Sequence, residues 1–317
     1  MRIFCAVSLL ILLFFGCGNS KSIEIVEDEF STSLNRDGQL LWTFNHDPAK
    51  GKPFFHPLGA TDGTVFTDLP KTDHPWHRGL WFSWKKINEI NYWEEKGFTG
   101  IPVGGYTRIL SYNHKISKDK SIIFIQKLEY APSQNADAIL KETRTIMVSV
   151  PDNNGNYVID WFSEQTPIRA DIVLDRTPIE GQTNGKSFGG YAGLSVRMNK
   201  DMLKGSFLNS EGYGFQINEV IEKKGKNELH GQSALWVLYQ NANGGSLLFM
   251  DKPSNFNYPS KWYVSHDMPY FSPAVIFDGP QRIKLGETLK LSYRILVSPN
   301  KINKSFADEA WEEWISK

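Results

Sequence analysis

Thr143-Arg144-Thr145-Ile146-Met147-Val148-Ser149-Val150 alternates in its second half, so that in an extended chain Ile146, Val148 and Val150 share one face. Similar runs lie on both sides. Ser121–Tyr130, Ile139–Val150 and Tyr157–Thr166 read as long strands, with Asp152-Asn153-Asn154-Gly155-Asn156 as a turn between two of them. Asp171–Leu174 and Ser195-Val196-Arg197 continue the pattern. Upstream, Ser22–Val26, Phe30–Leu34 and Gln39–Phe44 are strand-like, with Asp37-Gly38 as a hairpin signal before the third. Downstream, Ala234–Tyr239, Ser246–Met250, Ala274–Phe277 and Thr288–Val297 close the series, with a turn at Asn243-Gly244-Gly245. Only the end predicts a helix: Ser305 reads as its N-cap, and Phe306, Ala310 and Trp314 follow at helical spacing. Many strands, one short C-terminal helix and no interior linker predict an all-β fold, a large antiparallel β-sandwich.

The N-terminus reads as a targeting segment. Arg2 precedes the apolar run Ile3–Phe15, which ends in Gly16-Cys17. The run is shorter than the ~20 residues a spanning helix needs, and its layout is that of a secretory signal. A cysteine straight after the small residue is similar to a bacterial lipoprotein signal, implying cleavage before Cys17 and lipidation there. The expected organisation is a signal peptide over residues 1–16, a lipid-anchored tether over 17–21, and a single β-sandwich domain over 22–317. The expected location is the bacterial cell envelope, periplasmic or on the outer membrane, with the lipid as the only membrane contact. Cys5 leaves with the signal and Cys17 carries lipid, so no cysteine remains for a disulfide, thiol catalysis or a metal site. Lys plus Arg balance Asp plus Glu at 35 each, with no basic run, which excludes nucleic acid as a main partner.

One stretch does not read as a strand. Lys52–Trp84 holds three of the chain's seven histidines (His56, His74, His77), three of its ten tryptophans (Trp76, Trp81, Trp84) and four prolines. Core strands avoid proline, so this is a loop carrying groups that titrate near neutral pH beside flat apolar surfaces. In Asp73-His74-Pro75-Trp76-His77-Arg78, three roles are open to the histidines. They could be acid and base, metal ligands with His56, Asp73 or His266, or structural braces; two histidines three apart are a weak metal signal. Arg78 reads either as a fork for an anionic ligand or as the partner of Asp73 or Glu94. Glu94, after Tyr92-Trp93, is the carboxyl expected in the site. Its alternative is a solvated glutamate beside Glu95. Gly79–Trp84 reads as a strand that takes Trp81 and Trp84 into the core, leaving Trp76 as the exposed platform. Gly189-Gly190 allows close backbone approach, and Arg197 could point into the same cleft. His266, beside Asp267, completes the set of binding candidates with His56, Trp76 and Arg197.

Several of these motifs resemble those of a bacterial family of unknown function often labelled "methane oxygenase PmoA". They are Phe55-His56-Pro57-Leu58, Asp62-Gly63-Thr64, Asp73 to Phe82, Gly189 to Leu194 with Arg197, Asp251-Lys252-Pro253-Ser254-Asn255 with Pro259 and Trp262, and Leu291-Ser292-Tyr293-Arg294. The family often has histidine where this chain has Trp76, so that position is not an essential ligand. The label conflicts with the sequence, which has no apolar run near the ~20 residues of a membrane-embedded subunit. The resemblance implies a secreted or lipid-anchored β protein with a fold similar to the galactose-mutarotase supersandwich, whose sites use histidines with a carboxylate. Together these readings predict a carbohydrate-active protein in which His74, His77, Glu94 and Arg78 are catalytic and no cofactor is needed. Epimerase, hydrolase and lyase chemistry are all compatible. The alternatives are a carbohydrate-binding lipoprotein without turnover, and a metal-dependent enzyme using the histidines.

Overall fold

The computed structural model describes residues 22–97, 99–219, 227–265 and 268–317. The alternating runs form two large antiparallel sheets. The first has eight strands, in the spatial order Ile23–Asp28, Ser31–Arg36, Gln39–Asn45, Phe54–Leu58, Leu80–Ser83, Gly193–Arg197, Tyr270–Pro273 and Trp262–Ser265. The second has nine, from Gly214–Gln216 and Ser206–Asn209 through Trp236–Gln240, Ser246–Asp251, Leu289–Ser298, Tyr157–Pro167, Leu140–Val148 and Ile122–Ala131 to Tyr106–Ile116. Aromatic side chains join their inner faces. Trp42, Phe44 and Phe55 of the first sheet meet Phe124 of the second, at ring-centre distances of 6.1, 4.6 and 6.4 Å. The expected sandwich is therefore present. Turn chemistry sets its registers: Asp37 and Gly38 have φ of +53° and +80°, the left-handed pair that a two-residue hairpin needs.

The helix Lys304–Ile315 lies on the outer face of the nine-stranded sheet, where Ala307 and Trp314 cover Trp236, Leu238, Leu248 and Met250. Its N-cap is Asn303, whose side-chain oxygen accepts from Phe306 N at 2.9 Å; Ser305, expected there, is already inside the first turn. Three further expectations change. Ala274–Phe277 is a buried turn after the strand Tyr270–Pro273, with Phe277 N donating to Ala274 O. Phe54–Leu58, inside the stretch read as a loop, is a strand of the eight-stranded sheet despite Pro57. Tyr106–Ile116, which carries no strand signal in sequence, is an eleven-residue strand at the sheet edge. The signal peptide, Cys17 and the tether fall outside the described residues. Among those described, no helix is long and apolar enough to cross a membrane.

Asp251 explains one of the sequence motifs. It is fully buried and accepts from Ser260 N at 2.7 Å and Asn255 Nδ2 at 2.6 Å. Asn255 in turn binds the backbone of Ser292 on both sides, donating to its O at 2.7 Å and accepting from its N at 2.6 Å. The motif is thus a clamp between a loop and a central strand. Burial pushes the Asp251 carboxyl up from 3.8 to about 6, against the hydrogen bonds that lower it. The folded protein then binds more protons than the unfolded chain between these values, so the group's favourable contribution is present at pH 4 and lost as pH rises through 6. The shift is worth about 3 kcal/mol. The difference between wild-type and Asp251→Asn unfolding free energies, measured in urea from pH 4 to 7, should trace this loss. A pH-independent difference would contradict it.

Candidate functional site

Alternation gives the first sheet two apolar faces. Leu194, Val196, Phe271, Trp262 and Val264 face the sandwich core. Their neighbours face outward, where Phe54, Trp81, Tyr263 and Tyr270 form a second cluster with Trp93. Register lines up the outward residues: Trp81 pairs with Phe54 and Ser195, while Tyr270 lies between Arg197 and Ser265. Ser195 Oγ and Tyr270 OH are 2.7 Å apart. Loops rise above this floor and enclose a pocket of about 500 Å³. His74, Trp76, His77, Trp93 and Glu94 line it, together with Phe188, Tyr191, Tyr263, Ser265, Met268 and Tyr270.

The loop Asp73–Arg78 supplies the titratable wall. His74 adopts φ +53°, a left-handed conformation that costs an L-residue about 1–2 kcal/mol. That turn lets two sequence neighbours meet: Asp73 Oδ1 lies 2.5 Å from His74 Nδ1. The other oxygen, Oδ2, accepts from Arg197 Nη2 at 2.7 Å. Burial pushes the Asp73 carboxyl up, but the bonds from Arg197 and His74 outweigh it and hold it below its usual range. Asp73 therefore stays ionised and fixes the His74 tautomer with hydrogen on Nδ1, leaving Nε2 as the basic nitrogen.

His77 is the buried partner. It is 3% exposed, its ring lies 5.0 Å from that of His74 and 5.4 Å from that of Tyr270, and its Nδ1 has no hydrogen-bond partner. Burial first, and then the neighbouring His74, Arg197 and Lys52, push it well below the normal histidine value. It stays neutral at physiological pH.

The two glutamates divide. Successive residues of an extended segment face opposite sides. Glu94 lines the pocket and is held by Lys85, whose ammonium also lies 5.6 Å from the centre of the Tyr191 ring. Glu95 faces inward, 3% exposed, where it binds Arg78 and lies 3.0 Å from Lys52. Lys52 also donates to Trp93 O at 2.5 Å. Arg78 does not line the pocket. Its guanidinium lies beneath the wall, over the Phe54 ring, and its partner is Glu95, not Asp73 or Glu94. Nor is Glu95 a solvated neighbour; it centres the buried cluster that holds up Trp93.

Trp76 lines the pocket and is partly buried, while Trp81 and Trp84 are fully buried as expected. Arg197 does not line the pocket; it is 1% exposed and acts through Asp73. His56 is outside the lining as well, with Nδ1 3.1 Å from Thr67 Oγ1. His266 lies outside the described residues. Among those described, no group of three or more His, Cys, Asp and Glu side chains could hold a metal ion. Sequence reading missed Tyr263 and Tyr270, which strand order brings to the pocket, and Phe188, Tyr191 and Met268, which the adjoining loops supply.

The molecule is a large antiparallel β-sandwich with an aromatic, histidine-bearing pocket on the outer face of one sheet. The chain belongs to a family of unknown function, DUF6807, whose model matches residues 31–312. No curated protein matches the sequence. Among solved structures, the galactose 1-epimerase of Lactobacillus acidophilus NCFM aligns over 88% of this chain and 98% of its own, at 11% identity and a TM-score of 0.36. A GalM/aldose epimerase homologue from C. elegans aligns over 90% and 100%, at 10% identity and a TM-score of 0.36. A glycoside hydrolase family 97 enzyme from Pseudoalteromonas sp. strain K8, in complex with acarbose, aligns over 88% of this chain and 34% of its own, at 8% identity and a TM-score of 0.34. Likenesses this distant carry no argument about the chemistry of the pocket.

Proposed function

We propose that the pocket binds a sugar and moves a proton on it, with His74 as the base and His77 as a neutral hydrogen-bonding partner for the oxygen that gains charge. The observation that carries this reading is the Arg197–Asp73–His74 chain, which ends in the pocket beside His77. A histidine oriented through Nδ1 by an ionised carboxylate is equipped to take a proton at Nε2. A neutral imidazole polarises a carbonyl or hydroxyl without adding a full charge. Aromatic walls with a few polar groups suit the apolar face and hydroxyl edge of a sugar ring.

Among the proposed chemistries, epimerase- or lyase-type proton transfer fits better than hydrolysis. Hydrolysis normally uses two facing carboxyls, and Glu94 is the one carboxylate among the described lining residues, already held by Lys85. The test is proton NMR of hexoses and their glycosides in deuterated buffer with the protein. Catalysed anomer exchange, loss of a ring C–H signal or a new vinyl signal, each abolished in His74→Ala, supports the reading. Saturable binding with none of these changes would favour a sugar-binding protein without turnover.

The envelope location is proposed from Arg2, Ile3–Phe15 and Cys17 alone. Cys17→Ser should move the protein from the membrane fraction to the soluble fraction of a bacterial host. Unchanged partitioning would refute the lipid anchor.

A further inference from the structure

Phe188 is 55% exposed, yet it lines the mouth of the pocket. Single exposed apolar side chains are common on any surface. This one differs in how firmly its loop is held. Arg176, 3% exposed, donates from Nε to Phe277 O at 3.2 Å, and from Nη2 to Gln182 Oε1 at 2.5 Å and Asp278 O at 3.0 Å. Gln182 Nε2 donates to the same Asp278 O at 2.9 Å. Around Phe188, Lys186 N donates to Pro178 O, Gly189 N to Lys186 O and Gly190 N to Thr177 O, each at 2.9 Å. A Cβ on Gly189 would lie 2.1 Å from Pro178 O, so only glycine lets the chain seat this closely directly after Phe188.

The pocket runs from a buried floor to an open mouth. His77 and Tyr270 are 3% and 2% exposed, whereas the His74 side chain is 45% exposed. A ligand ring on the floor therefore leaves the mouth, with Trp76 and Phe188, unfilled. An aromatic ring fixed before binding gives up little further freedom when a ligand stacks on it. We propose that Phe188 is the stacking platform for a second ring, so that the pocket takes a two-ring glycoside in preference to a free monosaccharide. This rests on the sugar reading above. The shared chemistry of the second ring is an apolar face, which a pyranose or an aryl aglycone both supply.

The experiment is calorimetric titration of methyl hexosides, the corresponding disaccharides and the corresponding 4-nitrophenyl hexosides into wild type, Phe188→Ala and Phe188→Trp. In wild type the second ring should tighten binding roughly fivefold to tenfold. Phe188→Ala should remove that gain, weakening the two-ring ligands severalfold more than the methyl hexosides, while Phe188→Trp keeps it. A gain confined to disaccharides identifies the second ring as sugar; one confined to 4-nitrophenyl hexosides identifies it as aryl. Equal binding of one-ring and two-ring ligands overturns the proposal while leaving the sugar reading intact, as does equal weakening of both by Phe188→Ala. Failure of every glycoside to bind wild type overturns both.

Discussion

Replacing Glu95 by alanine should destabilise the protein by about 3–5 kcal/mol, because it strands two buried cations without their shared counter-ion. Lys52 and Arg78 both meet this one carboxylate, and the side chains of all three are 4% exposed or less. Burial already pulls the Lys52 ammonium down, and Glu95 opposes that pull. Removing Glu95 favours loss of the Lys52 proton, and the hydrogen bond from its ammonium to Trp93 O weakens with it. The loss should appear as a lowered urea midpoint with an unchanged slope. The triple replacement Lys52→Met, Arg78→Met, Glu95→Leu is the control. It removes all three charges together and should recover most of the loss, since apolar replacement of whole buried ion clusters is often neutral or better. A mild effect of Glu95→Ala alone would mean that the cluster is hydrated or rearranges.

The second large effect concerns rate. Asp73→Asn should lower turnover by about 10²–10⁴-fold with ligand affinity nearly unchanged. Asparagine keeps the size and can still accept from Arg197. It cannot present an anionic oxygen to His74 Nδ1, so the tautomer with Nε2 free is no longer held. The loss should fall on kcat and should be accompanied by a changed pH profile. Arg197→Lys should give a smaller loss of the same kind, because one ammonium replaces a buried guanidinium that aims at Asp73 from the floor. If Asp73→Asn weakens binding and leaves kcat intact, Asp73 shapes the wall without orienting a base.

The strands were legible where both signals were present, an alternating run and a turn chemistry to end it. Leu140–Val148 and Tyr157–Pro167 have both. Tyr106–Ile116 lacks the first, because an edge strand with mixed burial on both faces has no reason to alternate. Ala274–Phe277 shows the opposite failure: its apolar residues are buried, but in a turn. Helix onset was misplaced by two residues because Asn303 and Ser305 are both good caps, and only backbone geometry chooses between them. At the site, His74, His77, Glu94 and Trp76 were visible as a cluster of chemical types, and all four line one pocket. The link between Asp73 and His74 was not visible. Neighbours on an extended chain point apart, and the left-handed turn at His74 brings them together. Glu94 and Glu95 could not be told apart in sequence, since their difference lies in which side of one short segment each occupies.

The floor of the pocket and the core of the sandwich share the same strands of the eight-stranded sheet, read on alternate residues. Loss or gain of one residue within Gly193–Arg197 would exchange the two sets, sending Arg197 into the core and an aliphatic side chain to the surface. Length variation among natural relatives is therefore expected in the loops at 69–77, 91–95 and 178–190, and hardly at all in the floor strands. The fold can change what it recognises by exchanging rims above a floor of fixed spacing. Directed evolution of new specificity should begin with loop libraries at the rim and leave the floor strands untouched.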